Sequence, residues 1–169
     1  VKVALSKCDG ILIPGGFGER GIEGMITAAR YARENNVPCL GICLGMQIMV
    51  IEYARHICGW SDANSGEFDA HTAHKVIDFM PDQSDEINKG GTLRLGAYPC
   101  AIAKDSKMAA CYQAELISER HRHRYEFNND YRQDLQDKGL VIGGTSPDGR
   151  IVETVELADK DFYLGVQFH

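Results

Sequence analysis

Two short apolar runs, each followed by a tight turn and a helical pattern, constrain the fold of this chain more than any other feature. The first run is Gly10-Ile11-Leu12-Ile13, and Pro14-Gly15-Gly16 ends it. The second extends from Pro38 to Ile42. A short continuous apolar run closed by glycine or proline is typical of a strand buried on both faces of a sheet. We therefore expect parallel strands at the start of the chain.

Helical periodicity follows both runs. After the first, apolar residues recur at the spacing of one helix face from Ile22 to Ala32. After the second, the same spacing extends from Leu44 to Ile57, and Gly59 is the expected C-terminal stop. The order strand, helix, strand, helix predicts a β-α-β-α unit.

The second half of the chain is richer in strand patterns. Strand-like stretches occupy residues 75–79, 92–95, 98–103, 116–125, 141–145, 151–157 and 162–168. One short helix is expected from Asp130 to Lys138. No repeat or linker divides the 169 residues. We predict one α/β domain over residues 1–169, with a mostly parallel, mixed central sheet flanked by helices.

Composition and charge exclude several classes of function. The formal net charge is -6, so the chain lacks the basic surface that nucleic acids and anionic membranes require of a partner. No apolar run approaches the roughly 20 residues that span a bilayer, and the first residues carry no signal-peptide pattern. We expect a soluble, cytoplasmic protein with neither a nucleic-acid nor a membrane partner.

Six cysteines at irregular spacings predict no disulfide framework. The closest approximations to metal-ligand spacing are three pairs: Cys39 with Cys43, His71 with His74, and His121 with His123. None of these pairs is accompanied by a second one at zinc-finger spacing, so no metal site is predicted.

Cys43 lies where the second strand must turn directly into a helix, with Gly41 and Gly45 two positions away on each side. This is the nucleophile-elbow pattern with sulfur in place of a hydroxyl. The helix N-terminus favours a thiolate, and the N–H of Leu44 would point to a developing oxyanion. A free cysteine is, however, more often a small core residue. The local sequence leaves the two interpretations about even.

Two other segments carry candidate partners for this cysteine. The turn Pro14-Gly15-Gly16-Phe17-Gly18 lies at the carboxyl end of a predicted strand, where open α/β sheets bind ligands. It lacks the residues of a P-loop, so Gly16 serves either the turn alone or a second oxyanion contact. His169 follows the last predicted strand and is either a solvated residue or the base for the thiol.

Three motifs together resemble the triad-type (class I) glutamine amidotransferases. They are the glycine-rich turn, the elbow Gly41-Ile42-Cys43-Leu44-Gly45-Met46-Gln47, and Gly165-Val166-Gln167-Phe168-His169. Stretches at residues 62–68, 90–96 and 119–126 narrow the resemblance to the branch whose ammonia is used to make CTP. The six motifs occur in the order of that family over nearly the whole chain.

The resemblance implies a flavodoxin-like fold with a nucleophile elbow and assigns a role to each matching residue. Cys43 would attack the side-chain amide of L-glutamine, with His169 as its base. Gly16 and Leu44 would hold the oxyanion by their backbone N–H groups. Further substrate contacts would come from Gly45, Met46, Gln47, Glu67 and Arg124. A carboxylate suits the ammonium of the amino acid, and a guanidinium suits its carboxylate.

The resemblance also implies partners beyond this chain. Ammonia would pass to a synthetase domain of the same polypeptide, where ATP and Mg²⁺ support the amination of UTP to CTP. GTP would be an activator, and the full-length enzyme would be a homotetramer. No cofactor is expected in the amidotransferase domain. We expect residues 1–169 to be a piece of a larger protein, truncated at both ends of the domain and without the synthetase half.

Two positions differ from the family pattern. The family has a glutamate two residues after the histidine to orient the imidazole, whereas this sequence ends at His169. Gly66 occupies a position where the family usually has threonine.

Three alternative functions remain open. One is an amidotransferase of another pathway, such as those making GMP, anthranilate or carbamoyl phosphate. Another is a non-catalytic module that binds glutamine. A third is a peptidase or chaperone-like relative with the same elbow, in which Glu67 and Arg124 would have no amino acid to bind.

The run from Arg120 to Arg124 suggests by itself a nucleic-acid patch or a pair of metal ligands. On a strand, its three arginines would share one face and its two histidines the other. Glu119 and Glu126 flank the run and can neutralise neighbouring arginines, which favours a structural or substrate-binding role.

Overall fold

The computed structural model of this chain describes residues 1–80 and 94–169. Within these ranges no helix is both long and apolar enough to cross a bilayer. The helices are α1 (Lys2–Leu5), α2 (Ile22–Asn35), α3 (Leu44–His56), α4 (Lys107–Tyr112) and α5 (Arg132–Asp137), with a 3₁₀ turn at Asn129–Tyr131. The strands are β1 (Ile11–Ile13), β2 (Cys39–Ile42), β3 (Asn64–Ser65), β4 (Lys75–Asp78), β5 (Arg94–Ile102), β6 (Leu116–His123), β7 (Glu126–Phe127), β8 (Leu140–Thr145), β9 (Val152–Leu157) and β10 (Tyr163–Val166).

Seven strands form one sheet in the order β1-β2-β10-β9-β8-β5-β6. Strands β1, β2 and β10 are parallel, and every later neighbour in this order pairs antiparallel. Three short strands, β3-β4-β7, form a second sheet that contacts α3. The predicted α/β class with a mixed sheet is confirmed. In the seven-stranded sheet, the parallel part is confined to β1, β2 and β10, the three strands that lead to the glycine-rich turn, Cys43 and His169.

The first four predicted elements are present as β1, α2, β2 and α3. In the second half, the expected stretches correspond to β4, β5, β6, β8, β9 and β10, while the predicted strand at 92–95 lies partly outside the described residues. The sequence patterns did not predict α1, β3, β7 or α4. The signal for α4 was Ser106, the N-cap residue whose hydroxyl accepts a hydrogen bond from the backbone N–H of Ala109 at 3.0 Å.

Helix α3 is the centre of the core, and every residue from Leu44 to Ala54 is buried. This burial extends to Glu52, whose carboxylate lies 2.7 Å from the guanidinium of Arg33 on α2 and 3.2 Å from the ring of His56. A carboxylate without water needs such partners to remain charged. The ion pair therefore ties α2 to α3 behind the sheet.

Gly41 and Gly45 allow α3 to approach the sheet closely. A Cβ atom on Gly45 would overlap the carbonyl oxygen of Ile13 and lie 2.9 Å from its carbonyl carbon. A Cβ atom on Gly41 would lie 2.5 Å from the sulfur of Met49 and 2.6 Å from the carbonyl carbon of Gly45. The backbone cannot yield at these contacts without moving the helix. Packing therefore requires glycine on both sides of Cys43.

Replacing Gly45 with alanine is expected to lower the free energy of unfolding by about 3 kcal/mol or to prevent folding, because the added methyl group overpacks α3 against β1. Urea denaturation followed by circular dichroism measures the change. Gly24→Ala is the matched control, since Gly24 lies inside α2 with no atom within 4 Å of an added Cβ. This control should gain about 0.5–1 kcal/mol. Equal stability of the two variants would contradict the close-approach explanation.

Candidate active site

Cys43 occupies the turn between β2 and α3 in a strained conformation. Its backbone angles are φ 53° and ψ −105°, outside the ordinary regions for a residue with a side chain. Such a conformation costs on the order of 1–3 kcal/mol and persists only where the surroundings enforce it. Here the N–H of Cys43 donates to the carbonyl oxygen of Val166 at 2.7 Å. The predicted strand-to-helix turn is present, and neighbouring strand β10 holds it.

The thiol of Cys43 is buried, with 4% of the residue exposed. Burial raises the pKa of Cys43 to about 11. The N–H of Leu44 and the side-chain amide of Gln167 oppose this rise, while the carboxylates of Glu126 and Glu67 add to it. The resting form at pH 7 is therefore the thiol, and a reaction at sulfur needs a base to take its proton.

Two adjoining cavities, of about 360 and 390 Å³, meet at Cys43. Both are lined by Gly16, Phe17 and Arg122 as well as by the cysteine. Glu67, Arg124 and Gln47 are among the residues that line only the first, and His169 is among those that line only the second. Each cavity is large enough for a small metabolite such as an amino acid.

His169 lies beside Gly15, close to the cysteine. A Cβ atom on Gly15 would be 2.8 Å from Cε1 of His169 and 3.4 Å from Cβ of Cys43. A side chain at Gly15 would therefore displace the imidazole from the cysteine. The backbone N–H of His169 donates to the carbonyl oxygen of Arg120 at 2.7 Å, which attaches this end of the chain to β6. The predicted base and nucleophile thus share one cavity.

Glu67 and Arg124 bring opposite charges to the first cavity. Burial raises the pKa of Glu67, against a hydrogen bond from the backbone of Gly18 and the charge of Arg124. The hydrogen bond connects the glycine-rich turn to the loop that carries Glu67. A carboxylate and an exposed guanidinium in one cavity match the two charges of a free amino acid.

Gln47 is buried at the base of the same cavity. Its nitrogen Nε2 donates to the carbonyl oxygen of Tyr125 at 3.0 Å and to Oε1 of Gln167 at 3.1 Å. Both amide hydrogens are used by these bonds, which leaves the side-chain oxygen as an acceptor for a ligand.

The structure places the remaining predicted site residues in two groups. Gly16 and Leu44 line the first cavity together with the cysteine, and Gly16 also lines the second. Gly45 and Met46 do not line either cavity: Gly45 packs against Ile13, and Met46 is fully buried against Gly165. Their proximity to the cysteine in sequence is not proximity to the cavity, because the Cα of Gly45 and the side chain of Met46 face the sheet.

The sequence alternation predicted for residues 120–124 is confirmed: the three arginines are exposed and the two histidines buried. Across the described ranges, no group of three or more His, Cys, Asp or Glu residues could hold a metal ion. The histidines instead contact buried carboxylates. His123 Nε2 lies 2.7 Å from Oε1 of Glu126, and His121 Nε2 lies 3.4 Å from Oε2 of Glu153.

Arg94 joins these two carboxylates. Its nitrogen Nη1 lies 3.1 Å from Glu126 and 2.7 Å from Glu153. Burial raises the pKa of Glu153 to about 7, with Arg94 opposing the rise, and burial lowers the pKa of His121 to about 3. This cluster was not predicted from the sequence. A signal existed in β9, a fully buried strand in which the carboxylates of Glu153 and Glu156 stand among Val152, Val155 and Leu157.

Comparison with known proteins agrees with this geometry. The sequence matches the family described as glutamine amidotransferase class-I over residues 1–169. A CTP synthase of Fibrobacter succinogenes is 60% identical over 167 residues, which is 98% of this chain and 30% of that protein. A CTP synthase of Levilactobacillus brevis is 57% identical over 170 residues, or 100% of this chain and 32% of that protein. The chain thus spans about a third of the length of these relatives.

Among solved structures, the CTPS glutaminase domain of Trypanosoma brucei with bound acivicin is 45% identical and superposes with a TM-score of 0.93. The match covers 99% of this chain and 65% of that one. A glutamine amidotransferase from Thermotoga maritima is 14% identical, with a TM-score of 0.57 over 98% of this chain and 57% of that one. At this identity the second match supports the fold alone.

Replacing Glu153 with glutamine is expected to alter the pH dependence of stability. The folded pKa of Glu153 is raised from 4.5 to about 7, so between these values the folded state retains a proton that the unfolded state releases. The free energy of unfolding of the parent therefore carries a term that falls as pH rises through this window. The variant lacks that term, so its stability relative to the parent should improve from pH 4.5 to 7.

Urea denaturation at a series of pH values measures this difference. Asp148→Asn is the control, since Asp148 is an exposed carboxylate whose pKa is lowered from 3.8 by hydrogen bonds from Ser146 and Arg150. Its charge is constant between pH 4.5 and 7, so its difference from the parent should be flat there. A flat difference for Glu153→Gln as well would show that Glu153 ionises normally in the folded protein.

Proposed function

Because this chain belongs to the class I glutamine amidotransferase family, we propose that it hydrolyses the side-chain amide of L-glutamine to glutamate and ammonia through a thioester on Cys43. The observation that carries the proposal is the position of the thiol, at a strained strand-to-helix turn where two cavities meet. One cavity offers a base, and the other offers charges for an amino acid.

The proposed reaction begins when His169 takes the proton of the Cys43 thiol and the sulfur attacks the amide carbon. The electron pair of the C=O bond moves to oxygen, and the N–H groups of Gly16 and Leu44 stabilise this oxyanion. The C–N bond then breaks as the imidazolium returns its proton to the leaving nitrogen, which departs as ammonia. Water, deprotonated by the same imidazole, hydrolyses the thioester and releases glutamate and the thiol.

Recognition of glutamine follows from the charges of the first cavity. We assign the substrate ammonium to Glu67 and the substrate carboxylate to Arg124. The oxygen of Gln47 is an acceptor for an N–H of the substrate, since both hydrogens of its amide are already used. A ligand that lacks either terminus would leave Glu67 or Arg124 without its charge partner, which gives specificity for a free amino acid.

We further propose that the ammonia serves the conversion of UTP to CTP in a synthetase domain of the same polypeptide. Support comes from relatives named CTP synthase at 57–60% identity. ATP and Mg²⁺ would bind in that domain, GTP would activate the enzyme, and the full-length protein would be a homotetramer. We expect the amidotransferase domain itself to need no cofactor.

Cys43→Ala in the full-length protein is expected to abolish hydrolysis of glutamine and synthesis of CTP from glutamine, while synthesis from free ammonia continues. Loss of all three activities would show a structural role for the cysteine. Cys111→Ala is the matched control, because Cys111 is exposed and lines neither cavity, and it should leave all three rates unchanged. Mass mapping after treatment with a glutamine-like diazo-ketone should place the label on Cys43. Retained hydrolysis in Cys43→Ala would eliminate the thioester mechanism.

Glu67→Gln is expected to raise KM for glutamine by tenfold or more with a smaller change in kcat, because one ion pair to the substrate is lost. Steady-state glutaminase kinetics measure both constants. Glu115→Gln is the control: Glu115 is on the surface, 3.9 Å from Lys104, with both side chains 84% exposed. An unchanged KM in Glu67→Gln would reject the assignment of the substrate ammonium to this carboxylate.

A further inference from the structure

A chain of amide hydrogen bonds ends on the sulfur of Cys43. Its last member is Gln167, whose nitrogen Nε2 donates to the sulfur of Cys43 at 3.6 Å. The oxygen Oε1 of Gln167 accepts from Gln47 at 3.1 Å, and Gln47 also donates to the carbonyl oxygen of Tyr125 at 3.0 Å. Gln167 is fully buried, and Gln47 is 3% exposed. Buried amides with this many defined partners have little freedom to reorient.

The direction of this chain is set by the backbone. The carbonyl oxygen of Tyr125 can only accept a hydrogen bond, so Gln47 must present its NH₂ group there. The same NH₂ group faces Gln167, which must therefore present its oxygen to Gln47. The amide of Gln167 is left with its own NH₂ group directed at Cys43. The carbonyl oxygen of Tyr125, three hydrogen bonds away, thus determines which group of Gln167 faces the sulfur.

The backbone of Gln167 is fixed as firmly as its side chain. Its N–H donates to the carbonyl oxygen of Glu153 at 2.8 Å. The preceding residue, Val166, accepts the N–H of Cys43 at 2.7 Å. The end of strand β10 therefore holds the peptide of the nucleophile through Val166, and the next residue, Gln167, supplies the amide that contacts its sulfur, two residues before His169.

We propose that Gln167 is a positioning residue for the nucleophile: it donates a hydrogen bond to the sulfur of Cys43 that holds the thiolate in place once His169 has taken the proton. This inference rests on the proposed thioester chemistry of Cys43 and deepens it. A donor aimed at sulfur stabilises the charged form more than the neutral one. It also restrains rotation about the Cα–Cβ bond, which keeps the lone pair directed at the cavity.

The substitution Gln167→Leu tests the proposal, since leucine fills similar space without a donor. In the full-length protein, the rate of alkylation of Cys43 by iodoacetamide is measured from pH 7 to 9 by peptide mass mapping. Alkylation of exposed Cys111 in the same molecules is the internal reference. We expect Cys43 to react about three- to tenfold more slowly in the variant, because the thiolate fraction falls while each thiolate becomes somewhat more nucleophilic. The kcat for glutamine should fall while KM changes little.

Gln167→Glu separates a role at the sulfur from a role in packing. The carboxylate still accepts the hydrogen bond from Gln47, but it places negative charge beside the thiolate. We expect its deficit in alkylation to exceed that of Gln167→Leu across pH 7 to 9, an order that a packing defect alone would not produce. This variant also serves if Gln167→Leu fails to fold.

Thr154→Val is the matched control. Thr154 is buried on β9 opposite Val166, and its hydroxyl has no hydrogen-bond partner in the part of the chain that the structure describes. Its removal should leave alkylation of Cys43 unchanged. Parent-like alkylation of Cys43 in folded Gln167→Glu or Gln167→Leu would overturn the positioning role. That result is distinct from failure of the proposed function, which would instead appear as glutamine hydrolysis by Cys43→Ala.

Discussion

The close approach of helix α3 to strands β1 and β2 is the constraint on which the rest of the structure depends. The carbonyl of Ile13 lies where a side chain on Gly45 would begin, and Gly41 leaves no more space on the other side of the turn. Because the helix lies so close, the chain has one residue in which to pass from strand to helix. That residue is Cys43, and its positive φ is the geometric result.

Strand β10 connects this turn to the other half of the molecule. It pairs in parallel with β2 and antiparallel with β9, so it lies at the boundary between the two kinds of sheet. On one side it fixes the peptide of Cys43 through Val166, and on the other Gln167 bonds to Glu153. Glu153 belongs to the buried cluster around Arg94, which links β5, β6, β7 and β9. The residue that supplies this carbonyl to Gln167 is therefore itself held by the buried ion pairs.

The sequence predicted the fold and the residues of the site, but it did not predict which side chains contact one another. The alternation of apolar runs and helical periods located β1, α2, β2 and α3, since these elements are buried and their periodicity is strong. The three motifs located Cys43 and His169, which the fold brings into one cavity. The sequence could not show the pairing of Arg94 with Glu153. The two residues lie on β5 and β9, which are neither consecutive in the chain nor neighbours in the sheet. The hydrogen bond from Gln167 to the sulfur likewise joins residues that are 124 positions apart in the sequence.

At Cys43, the requirements of stability and of chemistry differ: the backbone conformation favours glycine, whereas the proposed reaction needs a thiol. Glycine adopts a φ of 53° without the steric cost that any side chain incurs there. Selection for thermal robustness alone would therefore favour the loss of the thiol, and laboratory evolution for stability without an activity screen should drift in that direction. The domain is accordingly less stable than it could be, and the lost stability arises at Cys43, the residue that carries the proposed nucleophile.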